Sequence, residues 1–256
     1  MRAFILAAGE GTRLLPLTLR TPKPMLPVAG MPVLEHTIRW LREHGIREIA
    51  INLCHRAEAI TGYFGDGLRW NVSICYSREN PVLGTAGAIK KLQYWLHETF
   101  IVVYGDVLTN MNLERLLTFH REVNAGDGSN SGATLSLYRV PNPAACGIVE
   151  LRPDGRIVRM VEKPRLDDVF SDLASSGVMI MEPGVHAFLP EHAFCDIGRD
   201  LIPRLLSAGS PVYGKVLAAD EYLVDMGTMP NYERANREWP RVSNTHGSAP
   251  GSGVRC

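Results

Sequence analysis

Cysteine is scarce in this chain and wrongly spaced for metal. The five residues stand at 54, 75, 146, 195 and 256. The number is odd and no pair has ligand spacing. That excludes a zinc module and a disulfide framework, and reads as an intracellular chain with reduced thiols. Long hydrophobic runs are absent too. No apolar stretch reaches the roughly 20 residues of a membrane span, and the apolar run in MRAFILAAGEGTR is too short for a signal peptide. A cytoplasmic protein with no membrane partner is expected. An excess of either charge is missing, since 27 basic residues balance 27 acidic ones. This argues against a broad basic face for nucleic acid. Lysine is rare, at 23, 90, 91, 163 and 215 only, and Lys23 and Lys163 each run directly into proline.

Two familiar phosphate signatures are also lacking. Gly9 and Gly11 follow the first apolar run, but Leu14 stands where a dinucleotide fingerprint needs its third glycine, and no Gly-Lys-Ser/Thr triplet completes a P-loop.

What is present is an ordinary globular composition of 256 residues, 45% apolar and 21% charged. Ala3–Ala7, Glu48–Leu53, Val72–Tyr76 and Phe100–Tyr104 read as strands. Between them Val33–His44, Arg56–Phe64 and Thr85–Leu96 have helical spacing, as does Leu113–Val123 after them. The alternation predicts an α/β fold, a Rossmann-like, mostly parallel sheet with helices on both faces. After a turn-rich loop at Ala125–Gly132, short strands at Ala133–Val140, Gly147–Leu151, Arg156–Val161 and Ser176–Met181 predict a smaller β-rich portion. Ile197–Ala208 and Met229–Glu238 read as helices, Val212–Lys215 and Tyr222–Asp225 as strands, and 240–256 as a flexible tail.

Ligands of such sheets bind beyond the carboxyl ends of the strands. There the stretch LAAGEGTRLLPLTLRTPKPMLPVAG, residues 6–30, far exceeds an ordinary strand–helix connection. Glycines admit a phosphate to backbone N–H groups. Arg13 can fork onto phosphate oxygens, and Lys23, framed by Pro22 and Pro24, supplies a compact charge. Singly these read as a tight turn and two solvated cations. Together they predict an anion-binding loop.

That block resembles the signature of the sugar-1-phosphate nucleotidyltransferases, or NDP-sugar pyrophosphorylases. So do, in family order, NPVLGTAGAI (80–89), VVYGDVL (102–108), CGIVEL (146–151), VEKP (161–164), SSGVMIMEP (175–183) and YLVDMGTMPNYERAN (222–236). The resemblance covers about residues 1–238 and looks most like the guanylyl-transferring mannose-1-phosphate/heptose-1-phosphate branch. It implies a single domain over 1–238, with a nucleotide-binding part at about 1–124 and a sugar-phosphate-binding part at about 125–228. It implies transfer from a nucleoside triphosphate, GTP favoured, to a sugar 1-phosphate or a heptose or cyclitol phosphate, with Mg²⁺ as cofactor and pyrophosphate released. Homo-oligomerisation is compatible with it.

By the same resemblance, Leu6, Ala8, Gly9, Gly11, Thr12, Arg13, Lys23, Gly84, Thr85 and Asp106 bind the nucleotide. Gly147, Glu162, Lys163, Ser175 and Gly177 bind the sugar phosphate. Arg13, Lys23, Asp106 and Asp225 are catalytic, and the two aspartates hold the metal. These residue types suit the chemistry. The attacking phosphate oxygen is already ionised, so no general base is needed, and catalysis consists of positioning and charge stabilisation. Asp106 and Asp225 each follow an apolar run, where a strand would end. Two departures stand out. Leu15 replaces an arginine common in relatives, and Ser175-Ser176-Gly177 replaces Asn-Ala-Gly, which leaves the acceptor open. Thymidylyl or uridylyl transfer, and a non-catalytic sugar-nucleotide-binding subunit, are the alternatives. The retained charges disfavour the last.

Overall fold

The computed structural model describes residues 1–127, 132–191 and 193–245. Its first part runs β1 (Arg2–Leu6), β2 (Pro27–Val28), β3 (Met31–Pro32), α1 (Val33–Glu43), β4 (Glu48–Leu53), α2 (Ala57–Phe64), β5 (Ser73–Arg78), α3 (Gly84–Lys91), β6 (Phe100–Tyr104), β7 (Val107–Thr109) and α4 (Leu113–Asp127). The second runs β8 (Ala133–Arg139), β9 (Gly147–Leu151), β10 (Ile157–Glu162), β11 (Leu173–Met181), α5 (Ile202–Ser207), β12 (Val212–Val216), β13 (Leu223–Asp225) and α6 (Met229–Thr245).

A nine-stranded sheet carries both parts, in the order β10-β9-β11-β6-β1-β4-β5, with β8 paired to β11 and β12. β6, β1, β4 and β5 are mutually parallel, as the strand–helix alternation predicts. β11 joins β6 antiparallel and brings in the β-rich portion, so that portion extends the same sheet. β13 pairs with β7 in a separate two-stranded ladder.

The inner strands β1, β4 and β6 are buried on both faces, which is why they read as apolar runs, while the edge strands β5 and β10 are partly exposed. Ala3, Ile5, Ile49, Ile51, Ile101 and Val103 point to one core, where Leu34, Ile38 and Leu41 of α1 and Leu113, Leu116 and Leu117 of α4 cover them. Phe4, Ala50, Phe100 and Val102 point to the other, under Ala86, Ala88 and Ile89 of α3 and Ile202 and Leu205 of α5. Each fully buried Leu or Ile contributes about 1.5–3 kcal/mol.

Several boundaries differ from the sequence reading. α4 takes in 125–127 of the expected loop, and 128–131 lie outside the described residues. The helix expected at 197–208 opens with a π-helical turn, Ile197–Leu201, before α5. α6 runs on to Thr245, into the stretch 240–256 expected as a tail. The buried Trp239 packs with Val28, Val224 and Met226, and its indole N–H donates to His36 Nδ1 at 3.2 Å. That anchoring outweighs the stop signal of Pro240. Residues 246–256 lie outside the described residues. No helix among the described residues is long and apolar enough to cross a membrane.

Candidate active site

The carboxyl ends of β1, β4, β5 and β6 lie side by side, and the chain leaving β1, β5 and β6 builds a cleft that Asn52 of β4 also lines. After β1 the loop folds into short 3-10 turns at Thr12–Leu14, Leu17–Leu19 and Lys23–Met25. Gly11 O ties the first two together by accepting from Leu14 N–H and Thr18 Oγ1, both at 2.9 Å. Behind the loop, Gly105 N–H donates to Leu6 O at 2.9 Å and seats the turn that carries Asp106.

Two adjoining cavities result. The first, about 380 Å³, is lined by Leu6, Ala8, Gly9, Gly11, Thr12, Arg13, Lys23, Gly84, Thr85 and Asp106, all ten residues expected on the nucleotide side. The second, about 260 Å³, is lined by Gly147, Glu162, Lys163, Ser175 and Gly177, all five expected on the sugar-phosphate side, and by Asp225. Arg13, Thr85, Tyr104, Asp106 and Asp196 face both cavities.

Charge is concentrated at this junction. Lys23, a residue only 9% exposed, donates its ammonium to Asp106 Oδ2. Burial alone would push the Asp106 carboxyl up, but the Lys23 charge and hydrogen bond outweigh it and hold the group below its ordinary value. Asp225 is pushed up, first by burial and then by the charge of Asp106, against the pull of Lys23 and the Gly227 N–H. The β7–β13 ladder sets Val107 opposite Asp225, and Met226 N–H donates to Asp106 O at 3.0 Å, so the two carboxylates share one neighbourhood. Desolvated carboxylates that repel each other suit a hard divalent cation. Among the described residues no cluster of three or more His, Cys, Asp or Glu offers a closed metal cage. Two carboxylates beside open cavities are the donor set Mg²⁺ favours when phosphate and water complete its shell. Asp106 and Asp225 could therefore hold it.

The second cavity is shaped by close approach. A Cβ on Gly147 would fall 2.4 Å from Glu162 Oε2, so a side chain there would push that carboxylate aside. Burial pushes Glu162 up, with Lys163 opposing. Lys163 holds a left-handed backbone at φ 50° and donates its N–H to Cys146 O at 2.9 Å. Its ammonium lies 3.9 Å from Glu162 Oε1 and is half exposed. The Ser175 hydroxyl is buried and has no hydrogen-bond partner. Gly177 falls where the β11–β8 register shifts.

The sequence reading missed Asn52, Glu79, Tyr104 and Asp196. Thr85 Oγ1 donates to Asp196 Oδ2 at 2.9 Å and accepts from Ile197 N–H at 2.8 Å. This pins the start of α3 to the π-helical turn. A Cβ on Gly84, whose φ is +77°, would meet Cys195 O at 2.4 Å, so the close seat requires glycine. Asp196 also caps that turn through Gly198 and Arg199 N–H, and an Asp just before an apolar helical run is a legible cap signal. Asn52, Glu79 and Tyr104 carry no such signal.

Residues 2–241 match the family model described as nucleotidyl transferase. The chain is 37% identical over 251 residues to a UTP–glucose-1-phosphate uridylyltransferase of Synechocystis sp., covering 93% of this chain and 63% of that protein. It is 34% identical over 255 residues to a mannose-1-phosphate guanylyltransferase of Mycobacterium tuberculosis, covering 99% and 67%. It thus spans about two-thirds of the length of these relatives. Among solved structures, HddC from Yersinia pseudotuberculosis complexed with GMP-PN superposes with a TM-score of 0.75 at 25% identity, over 93% of this chain and 99% of that one. A Bacillus anthracis protein in complex with a sucrose, 23% identical and with a TM-score of 0.79, shares the fold over 98% of both chains. On the family match across nearly its whole length, this chain belongs to the nucleotidyl transferase family.

Proposed function

We propose that the protein joins a nucleoside triphosphate to a sugar 1-phosphate, giving an NDP-sugar and pyrophosphate. The observation that carries this reading is the pair of adjoining cavities with the Lys23–Asp106 pair at their junction. A triphosphate in the first and a sugar phosphate in the second would bring the α-phosphorus and its nucleophile together there. An oxygen of the sugar phosphate attacks the α-phosphorus, the bond to the bridging oxygen breaks, and pyrophosphate departs with that electron pair. Arg13 neutralises the outer phosphates, Lys23 the α-phosphate and Lys163 the sugar phosphate. Glu162 accepts from sugar hydroxyls. Mg²⁺, held by Asp106 and Asp225, would supply positive charge for the leaving pyrophosphate. A non-catalytic subunit is disfavoured, because Arg13, Lys23, Lys163, Asp106 and Asp225 all line the cavities.

GTP is the favoured donor. The segment Asn80–Ala88 resembles the guanylyl-transferring branch, the M. tuberculosis relative is a guanylyltransferase, and HddC is complexed with GMP-PN. A second reading, transfer from UTP, rests on the 37% identical uridylyltransferase. Pyrophosphate release across four nucleoside triphosphates and a panel of sugar phosphates tests both. We expect the highest kcat/KM with GTP. Preference for UTP or dTTP overturns the base assignment, and no release with any pair overturns the activity.

A further inference from the structure

A line of buried polar groups between the glycine loop and the loop before α3 has no part in the chemistry above. Ala7 N–H donates to Asn52 Oδ1 at 2.6 Å, Asn52 Nδ2 donates to Glu79 Oε1 at 2.8 Å, and Leu83 N–H donates to Glu79 Oε2 at 2.9 Å. Asn52 is 3% exposed and Glu79 4%.

The polarity of this line has one solution. Glu79 faces two donors, Asn52 Nδ2 and Leu83 N–H, so it must accept with both oxygens, as a carboxylate does. A neutral amide there would turn its NH₂ against one of them. Asn52 must accept from Ala7 with its oxygen and donate to Glu79 with its nitrogen, so its amide cannot flip without two mismatches. Burying a carboxylate among neutral donors is costly unless its contacts are satisfied, and here each carboxylate oxygen accepts one bond, from Asn52 Nδ2 and from Leu83 N–H.

The line also has a destination. Ala7, Ala8 and Gly9 line one wall of the first cavity, and Val82, Gly84 and Thr85 another, with Asn52 between them. Asn52 sits at the end of β4, in register with Leu6 of β1 on one side and Ser77 of β5 on the other.

We infer that Asn52 and Glu79 are positioning residues for the nucleoside triphosphate, holding the glycine loop and the Val82–Thr85 segment at the spacing the donor requires. The inference rests on the proposed function only in taking the first cavity as the donor site.

A charge-conserving exchange tests it. Asn52→Asp combined with Glu79→Gln keeps all three hydrogen bonds and reverses only the middle one: the Asp accepts from Ala7 and from the Gln amide, and the Gln oxygen accepts from Leu83. Asn52→Asp alone sets two carboxylates face to face, and Glu79→Gln alone sets donor against donor. At about pH 8, where a shared proton does not rescue the carboxyl pair, each single variant is expected to raise KM for the triphosphate roughly tenfold or more. KM for the sugar phosphate and kcat should stay within about threefold, and the double variant should recover the wild-type KM. A drop in melting temperature alone, equal shifts in both KM values, or no recovery in the double variant would overturn the inference. Absence of turnover in the wild type would instead sink the proposed activity. Amide exchange then reads the line directly. Ala7 and Leu83 protected in the wild type and double variant but fast in the single variants supports it, and equal protection in all four proteins refutes it.

Discussion

Lys23 and Asp106, 83 residues apart, meet as an ion pair where the two cavities join. The pairing fixes the buried lysine beside the point where a transferred phosphate would sit, and Lys163 differs from it in burial, backbone and cavity. Lys163 is half exposed, on a left-handed turn, and faces the second cavity alone. The two cations should therefore fail differently. Lys23→Ala is expected to lower kcat by about a hundredfold or more, because charge grows on the α-phosphate only in the transition state. Lys163→Ala should mainly raise KM for the sugar phosphate, by about tenfold, since that charge is already present in the ground state. Steady-state kinetics of both variants decide it, and one shared signature rejects the division.

The second prediction concerns the carboxylates. Asp225 is pushed up by burial and by the charge of Asp106, a strain that a bound divalent cation relieves. Chelation is expected to abolish turnover and excess Mg²⁺ to restore it. Asp106→Asn and Asp225→Asn should each cost about 10²–10⁴-fold in kcat. Asp106→Asn should also lower thermal stability, because it leaves the buried Lys23 charge without its partner. Full activity in excess chelator excludes the metal.

Legibility followed the length of each signal. β1 and β6 are runs of five residues buried on both faces, so their apolar patterns are unbroken. β2, β3 and β7 span only two or three residues each, too few for any period. The cavity residues were legible because they lie in blocks resembling a known family. Asn52, Glu79 and Asp196 lie in none of those blocks, and each has a partner distant in sequence, such as Thr85 for Asp196, 111 residues away, and Asn52 for Glu79, 27 residues away. A lone Asn at the end of an apolar strand has no period and no motif to mark it.

The third prediction is a pH effect far from the cleft. Glu182, at the end of β11, accepts from His120 of α4 at 2.9 Å and from Thr99 at 3.0 Å, with Asn124 alongside at 3.5 Å. The His120 hydrogen bond, helped by Thr99 and opposed by burial, holds its pKa below the ordinary 4.5. A depressed carboxyl pKa contributes stability that is present above the unfolded value and lost as pH falls through the folded one. Glu182→Gln should therefore lower the melting temperature by a few degrees at neutral pH, from a loss of about 1–2 kcal/mol. The gap to wild type should close as pH drops below about 4.5. Melting curves of both proteins between acid and neutral pH check it, and a gap independent of pH refutes the linkage.

The last prediction concerns the acceptor. Relatives that use common hexose phosphates often carry Asn-Ala-Gly where this chain has Ser175-Ser176-Gly177. Ser175 lines the second cavity, and its buried hydroxyl has no partner, so a turn about χ1 would offer a ligand a donor and two acceptor positions. It is shorter than Asn and lacks the amide pair, so an ordinary hexose loses a contact worth on the order of 1–3 kcal/mol in a closed site. The space Asn would fill suits a bulkier or differently hydroxylated acceptor, such as a heptose or cyclitol phosphate. Glu162 is the competing determinant, since its carboxylate crosses Gly147 into the same cavity. Comparing kcat/KM for mannose 1-phosphate, glucose 1-phosphate, and a heptose and a cyclitol phosphate in the wild type and in Ser175→Asn separates the two. If Ser175 sets the choice, the wild type prefers the heptose or cyclitol, and Ser175→Asn shifts the ranking toward a hexose by about tenfold. A wild type that prefers a plain hexose phosphate, with a ranking unchanged in Ser175→Asn, assigns the selection to Glu162 and reduces Ser175 to packing.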